Sequence, residues 1–241
     1  MLQRNLTPEL MDDPGLDPAA HAQALRGLRR LNTLSNAAAP VRSAVLSLLS
    51  GAGEDPRRAS VIDIATGSGD LLVALGRAGI GVAAPGRLVG VDISPTALAI
   101  AGRNAAEQRI AAEWLKADVL AAPLPIADQS IDVAVCSLFL HHLDEAGVRR
   151  VLAEMARVSR VGLVVSDLRR SHAGLMMAAI ASRVVTRSPV VHVDALKSVR
   201  AAWSAEELAD LAELAGLGSA TVDRILPERL LLRWSRGTER A

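Results

Sequence analysis

The chain has 241 residues, half of them apolar and 22% charged, a balance that supports one large or two small domains with a sizeable core and excludes wholesale disorder. Its 27 basic and 26 acidic residues leave a net charge of +1, and aromatics make up 2% of it, so neither the positive field nor the base-stacking surface of a nucleic-acid binder is available. A single cysteine, Cys136, excludes an internal disulfide, and no Cys/His spacing of the structural zinc type occurs, so a reducing, cytoplasmic setting is expected.

No apolar run reaches the roughly 18–20 residues of a membrane span, the longest, Ile131–Leu140 and Ala173–Val185, being too short or interrupted. Met1 to Pro14 has acidic residues and prolines where a signal peptide would have a positive start and an apolar run. Residues 17–50 carry apolar positions at helical spacing, with Asp17 as an N-cap before Pro18, and predict two helices ahead of any strand. After the turn-rich break Gly51 to Arg58, the β-branched run Val61 to Ala65 predicts a strand that ends in Thr66-Gly67-Ser68-Gly69-Asp70, and a helix follows to Ala78. Arg87 to Asp92 is a second strand, Ser94-Pro95 opens a helix, and Trp114 to Asp118 is a third strand. Ser130 to Ser137 is a fourth, Asp144 to Val158 a helix, and Val161 to Asp167 a fifth strand. Strands alternating with helices imply a parallel sheet. Ala220 to Leu226 and Leu230 to Trp234 leave no room for a helix between them and should pair antiparallel. The expected fold is α/β and Rossmann-like: a seven-stranded, mostly parallel sheet with helices on both faces. Residues 1–57 form an N-terminal helical extension and 58–241 the main domain.

A strand that ends in Gly-x-Gly and feeds a helix brings backbone N–H groups close to a ligand, because glycine has no side chain to block the approach. Gly67 and Gly69 have this spacing, although such turns also serve plain strand–helix packing. The dinucleotide fingerprint asks for a third glycine three residues after Gly69, where Leu72 stands, so a pyrophosphate is disfavoured. Asp63 lies on the strand itself, where a buried acid needs a specific partner. Asp92 closes the second strand, where an acid commonly takes both ribose hydroxyls of an adenosine ligand; its structural alternative is a helix N-terminal acid. Asp118, followed by Val119, closes the third.

Three successive strand ends bearing an acid or a glycine loop on one sheet edge form a pattern. The runs Val61 to Asp70, Val89 to Ser94, Lys116 to Val119 and Ser130 to Leu143, the last containing Leu140-His141-His142-Leu143, resemble the ordered motifs of the class I S-adenosylmethionine-dependent methyltransferases. Within that class the sequence is most similar to the small-molecule group related to the ubiquinone/menaquinone-biosynthesis methyltransferases, with a type 11-like domain, over about residues 58–235. The resemblance implies that Asp63, Ala65, Thr66, Gly67 and Gly69 hold the methionine end of S-adenosyl-L-methionine. Asp92 and Ile93 would take the ribose and adenine face, and Asp118 and Val119 would frame the adenine. Cys136 would lie beneath the cofactor, with Ser137 and Leu138 at the entrance to the acceptor pocket. Ala65 stands where the family usually has glycine.

Methyl transfer needs the acceptor close, aligned and dry more than it needs a catalytic side chain. If the acceptor is a hydroxyl, a general base helps, and the candidates by location are His141, His142 and His172; a purely structural role in the loop after the fourth strand is the alternative for His141. His192 is a more remote candidate. The end of the fourth strand, Cys136-Ser137, offers no metal ligand set, and no metal is expected. The apolar stretch Gly174 to Val185, within an acceptor cap around 170–200, implies a small hydrophobic acceptor, phenolic or polyketide-like, methylated on oxygen or less readily on carbon; a core or homodimer-facing helix is its other reading. The N-terminal helices, including Asn32, Ser35 and Asn36, are expected to act as a lid. A nicotinamide-dependent oxidoreductase and a non-catalytic cofactor-binding protein are the competing classes.

Overall fold

The computed structural model describes residues 2–12 and 37–237, together with 15–17, 19, 20, 23, 24, 27, 30 and 31. The strands are β1 (Ser60–Ile64), β2 (Arg87–Asp92), β3 (Glu113–Lys116), β4 (Ile131–Ser137), β5 (Ser159–Leu168), β6 (Thr221–Ile225) and β7 (Arg229–Ser235). They form one sheet in the order β3-β2-β1-β4-β5-β7-β6. All neighbours are parallel until β7, which runs antiparallel to both β5 and β6, as the short connection through Pro227 and Glu228 requires. The expected α/β Rossmann-like architecture is therefore what the chain adopts.

Strand position follows side-chain character. β4, between β1 and β5, is apolar over nearly its whole length and buried on both faces, as a central parallel strand must be. β3 is an edge strand with charged Glu113 and Lys116 at its ends, which discourages further pairing. The helices are α1 (Ala38–Gly51), α2 (Asp70–Arg77), α3 (Pro95–Glu107), α4 (Glu145–Val158), α5 (His172–Val185), α6 (Pro189–Ala201) and α7 (Ala205–Leu214). Ser94, Asp144, Ser171, Ser188 and Ser204 cap α3 to α7 by accepting a backbone N–H of the first turn. α6, opened by Ser188-Pro189, is an element the sequence reading did not single out.

The sheet is covered on both faces. On one, Ile62, Ile64, Cys136, Leu163 and Val165 pack with α4 and α7 through Leu152, Met155, Leu208 and Leu211. On the other, Val61, Val133, Val135 and Val164 pack with Val41, Val45 and Leu49 of α1 and with Leu72 and Leu75 of α2. α1 thus belongs to the same core as the strands, although it precedes residue 58. The carboxylate of Asp17 accepts the N–H of Ala20 at 2.9 Å, which is the N-cap expected of it. Asn32, Ser35 and Asn36, named for the lid, lie outside the described residues. Residues 2–12 form an arm against α6: Leu10 and Met11 donate their N–H groups to buried Asp194 at 2.7 and 3.1 Å, and Asn5 donates to the carbonyl of Arg200 at 3.0 Å.

Candidate functional site

The site is built where β1 ends. Left-handed backbone turns the chain at Ala65 (φ 56°), Gly67 (φ 55°) and Gly69 (φ 73°), and Gly69 caps α2. A Cβ at Gly69 would meet the Trp114 ring at 2.8 Å and Ala101 at 2.9 Å, so close packing against α3 and β3 requires glycine there. At Gly67 a Cβ would meet nothing within 4 Å: this stretch of backbone faces open space. Asn104 of α3 pins the loop, donating its side-chain amide to the carbonyl of Ser68 at 2.9 Å.

Asp92 ties the loop to the end of β2. One carboxylate oxygen accepts the N–H of Gly67 at 2.9 Å and the other that of Ser94 at 2.8 Å. A carboxylate has about four acceptor sites, so two remain for a diol. Ile93 beside it is a large apolar side chain left 60% exposed on the same rim. Asp63 is buried and accepts the Thr66 hydroxyl at 2.7 Å. Burial pushes its carboxyl up to about 7; the Thr66 hydrogen bond pulls it down and the charge of Asp92 adds to the rise.

A cavity of about 760 Å³ takes in Asp63, Ala65, Thr66 and Gly67 together with Ser137 and Leu138 from the end of β4 and Arg42 from α1. Gly69, Asp92, Ile93, Asp118, Val119 and Cys136 do not line it: Asp92 and Ile93 stand at the neighbouring strand end, and Val119 and Cys136 are buried in the core. Leu138 has φ 56°, so two of the five described non-glycine residues with positive φ, Ala65 and Leu138, border the same cavity. Such strain concentrates at functional sites.

Several expectations are refined. Asp118 does not close the third strand: β3 ends at Lys116, because the Asp118 carboxylate accepts the N–H of Leu120 at 2.8 Å and its carbonyl accepts those of Ala121 and Ala122, turning the chain. Val119 is buried in the core and its carbonyl accepts from Arg150 at 3.2 Å. Cys136 is wholly buried, and burial, with the charges of Asp63 and Asp167 adding to it, pushes its thiol well up, which keeps it protonated and inert.

None of His141, His142 and His172 is among the residues lining the cavity. His172 is exposed in the first turn of α5. His141 is buried, its Nδ1 2.6 Å from Asp167, and Asp167 also accepts the His141 backbone N–H at 3.1 Å. Burial lowers the imidazole, but the adjacent carboxylate outweighs it and leaves the pKa raised; Asp167, which burial alone would raise, is held low by the same pairing. Arg42, Asn104 and Asp167 escaped the sequence reading, because each joins the site or its surroundings through packing between distant segments. Single polar residues on helices and strand ends carry no local signal of that.

The donor set suits an adenosyl sulfonium ligand. A buried carboxyl lies at the cavity, an open glycine backbone stands beside it, and the next strand's end supplies an acid with acceptor capacity and an exposed apolar neighbour. Residues 61–162 match a methyltransferase domain family. Demethylmenaquinone methyltransferase of Thermus thermophilus is 35% identical over 108 residues, a match that spans 44% of this chain and 44% of that protein. Among solved structures, the plantazolicin methyltransferase BpumL in complex with S-adenosylhomocysteine superposes with a TM-score of 0.66 at 14% identity, over 91% of this chain and 90% of that one. Magnesium protoporphyrin IX methyltransferase of Synechocystis PCC 6803, with bound S-adenosylmethionine, gives 0.54 at 14% identity, over 95% and 88%. Residues 61–162 are thus similar to methyltransferase domains, and the seven-stranded sheet that completes them has the fold of the methyltransferases it superposes on.

Proposed function

We propose that the protein is an S-adenosylmethionine-dependent methyltransferase that methylates oxygen, or less readily carbon, of a small hydrophobic acceptor of phenolic or polyketide-like character. The observation that carries this reading is the junction of β1 and β2, where the open backbone of Gly67 is hydrogen-bonded to Asp92 beside buried Asp63. When bound, the cofactor supplies an electrophilic methyl group on a sulfonium. Asp63 would face its cationic methionine end, with Ala65, Thr66, Gly67 and Gly69 supplying the backbone around it. Asp92 would accept the ribose hydroxyls, Ile93 would cover one adenine face, and Asp118 and Val119 would frame the ring, with Cys136 in the core beneath.

The remaining task is to hold an acceptor in line and exclude water, which orientation alone can make worth many orders of magnitude in rate. None of His141, His142 and His172 lines the cavity, so the transfer relies on positioning without a histidine base. α5 supports the apolar acceptor: Met176, Ile180 and Val184, one turn apart, are 64%, 59% and 79% exposed on one stripe. A homodimer contact is the competing use of that stripe, and sedimentation of the full chain distinguishes the two. A nicotinamide oxidoreductase is not favoured, because Leu72, at the position of the third glycine, is fully buried in the core.

Calorimetric titration with S-adenosylmethionine and with a nicotinamide dinucleotide tests the cofactor. Binding of the first alone is expected, and binding of the second alone would overturn the reading. Release of S-adenosylhomocysteine with a panel of phenolic acceptors tests the transfer.

A further inference from the structure

Away from the cavity, side chains from two segments distant in the chain converge. Glu9 of the N-terminal arm meets His141 and His142 of the turn after β4, and the ligand atoms of the three lie within 4.8 Å of one another. We propose that Glu9, His141 and His142 form a binding site for one divalent transition-metal ion of the zinc class, with Asp167 and Ser198 holding two of the ligands in place.

The donor set fits that class. Two imidazoles and one carboxylate are a common zinc triad, leaving a fourth position open to water or another oxygen ligand. The partner of His141 fixes which nitrogen is left for a metal: a carboxylate only accepts, so the Nδ1 that sits 2.6 Å from Asp167 carries a proton, and Nε2 is the nitrogen that would ligate once it gives up any proton of its own. A buried carboxylate behind a ligating histidine is the usual outer-shell arrangement of such sites. Glu9 has an outer partner as well, because the Ser198 hydroxyl donates to Oε1.

Both segments are anchored independently of any ion. The turn 140–142 is fixed by Trp203, whose indole N–H donates to the carbonyl of Leu140 at 2.9 Å, and by Arg4, which donates to the carbonyl of Leu143 at 2.7 Å. The arm is fixed on either side of Glu9, by Lys197 donating to the carbonyl of Pro8 at 2.6 Å and by Asp194 accepting from Leu10 and Met11. Zinc–nitrogen bonds of about 2.0–2.1 Å place tetrahedral ligand atoms roughly 3.3 Å apart. The contraction from the present spacing falls on exposed His142 and half-buried Glu9, while His141 stays still. The sequence expectation of no metal rested on the end of β4; this site lies beyond it and gains its third ligand only through the fold.

The test uses the full, tag-free chain stripped with chelator, titrated with Co²⁺ while visible absorption is followed, and with Zn²⁺ in competition with a chromogenic chelator. One equivalent of metal with saturable low-coordinate Co²⁺ bands is expected. Glu9→Gln and His142→Ala, both outside the core, should each weaken binding at least tenfold without lowering the melting temperature of the stripped protein. Asp167→Asn should weaken it by 10- to 100-fold, the usual effect of losing an outer-shell carboxylate, and Ser198→Ala provides the same test without disturbing a buried pair. No saturable binding at micromolar metal, or Glu9→Gln and His142→Ala binding as the parent does, would overturn the proposal. The readout is metal binding, so its failure is separate from failure of cofactor binding.

Discussion

Asp92 accepts the backbone N–H of Gly67 across 25 positions of sequence, at 2.9 Å, and so joins the acid at the end of β2 to the loop at the end of β1. The same carboxylate holds Ser94 at the start of α3. One side chain therefore sets the spacing of two adjoining strand ends.

Asp92→Ala should weaken S-adenosylmethionine binding by about 1–3 kcal/mol and also lower stability, because two backbone N–H groups lose their acceptor. Calorimetry and urea unfolding on the same variant measure both. Unchanged affinity would remove Asp92 from the cofactor site, whatever happened to stability.

Cofactor affinity should fall below neutral pH. The Asp63 carboxyl is pushed up to about 7, and a cation beside it requires the ionised form, so each pH unit below that value should cost up to roughly tenfold in affinity. Titrations at pH 6 and pH 8 give the comparison, and a flat profile would argue against Asp63 as the partner of the methionine end.

The same group should make the free protein less stable on the alkaline side. Its folded pKa lies above the ordinary 3.8, so the stabilisation from the neutral carboxyl is complete below about pH 4 and is lost as pH rises through about 7. Asp63→Asn should thus stabilise the protein at pH 8 by as much as about 4 kcal/mol relative to its effect at pH 4, while losing the cofactor. Melting curves at the two pH values measure the difference.

Ala65→Gly should stabilise the loop. An L-residue in the left-handed region costs roughly 1–2 kcal/mol, and the extra unfolded-state entropy of glycine returns about half of that. A gain of up to about 1 kcal/mol in thermal unfolding, with cofactor affinity preserved, is expected at φ 56°. A loss of stability would mean that the methyl group of Ala65 contributes packing that outweighs the strain.

Asp194→Ala should free the N-terminal arm. Asp194 is buried and accepts the N–H groups of both Leu10 and Met11, so its loss should cost about 1–3 kcal/mol and speed amide exchange of residues 4–12 ahead of the sheet. Exchange that accelerates equally in β1 and β4 would place the effect in the core instead.

Much of this protein is written in short stretches of sequence. The apolar run of β4, the β-branched run of β1, the serine and aspartate caps and the short β6–β7 connection each specify their element locally, since period, capping and loop length act within a few residues. The acids at the ends of β1 and β2 and the glycine loop are legible for the same reason. Tertiary structure decided what those residues meet. It drew α1 into the sheet's core, left Leu138 strained beside the cavity, and set buried Asp167 behind His141 with Glu9 from the far end of the chain in front. Those contacts join residues tens to hundreds of positions apart, and the free energy that selects them is that of burying apolar surface and of giving buried charge a partner, which no local pattern encodes.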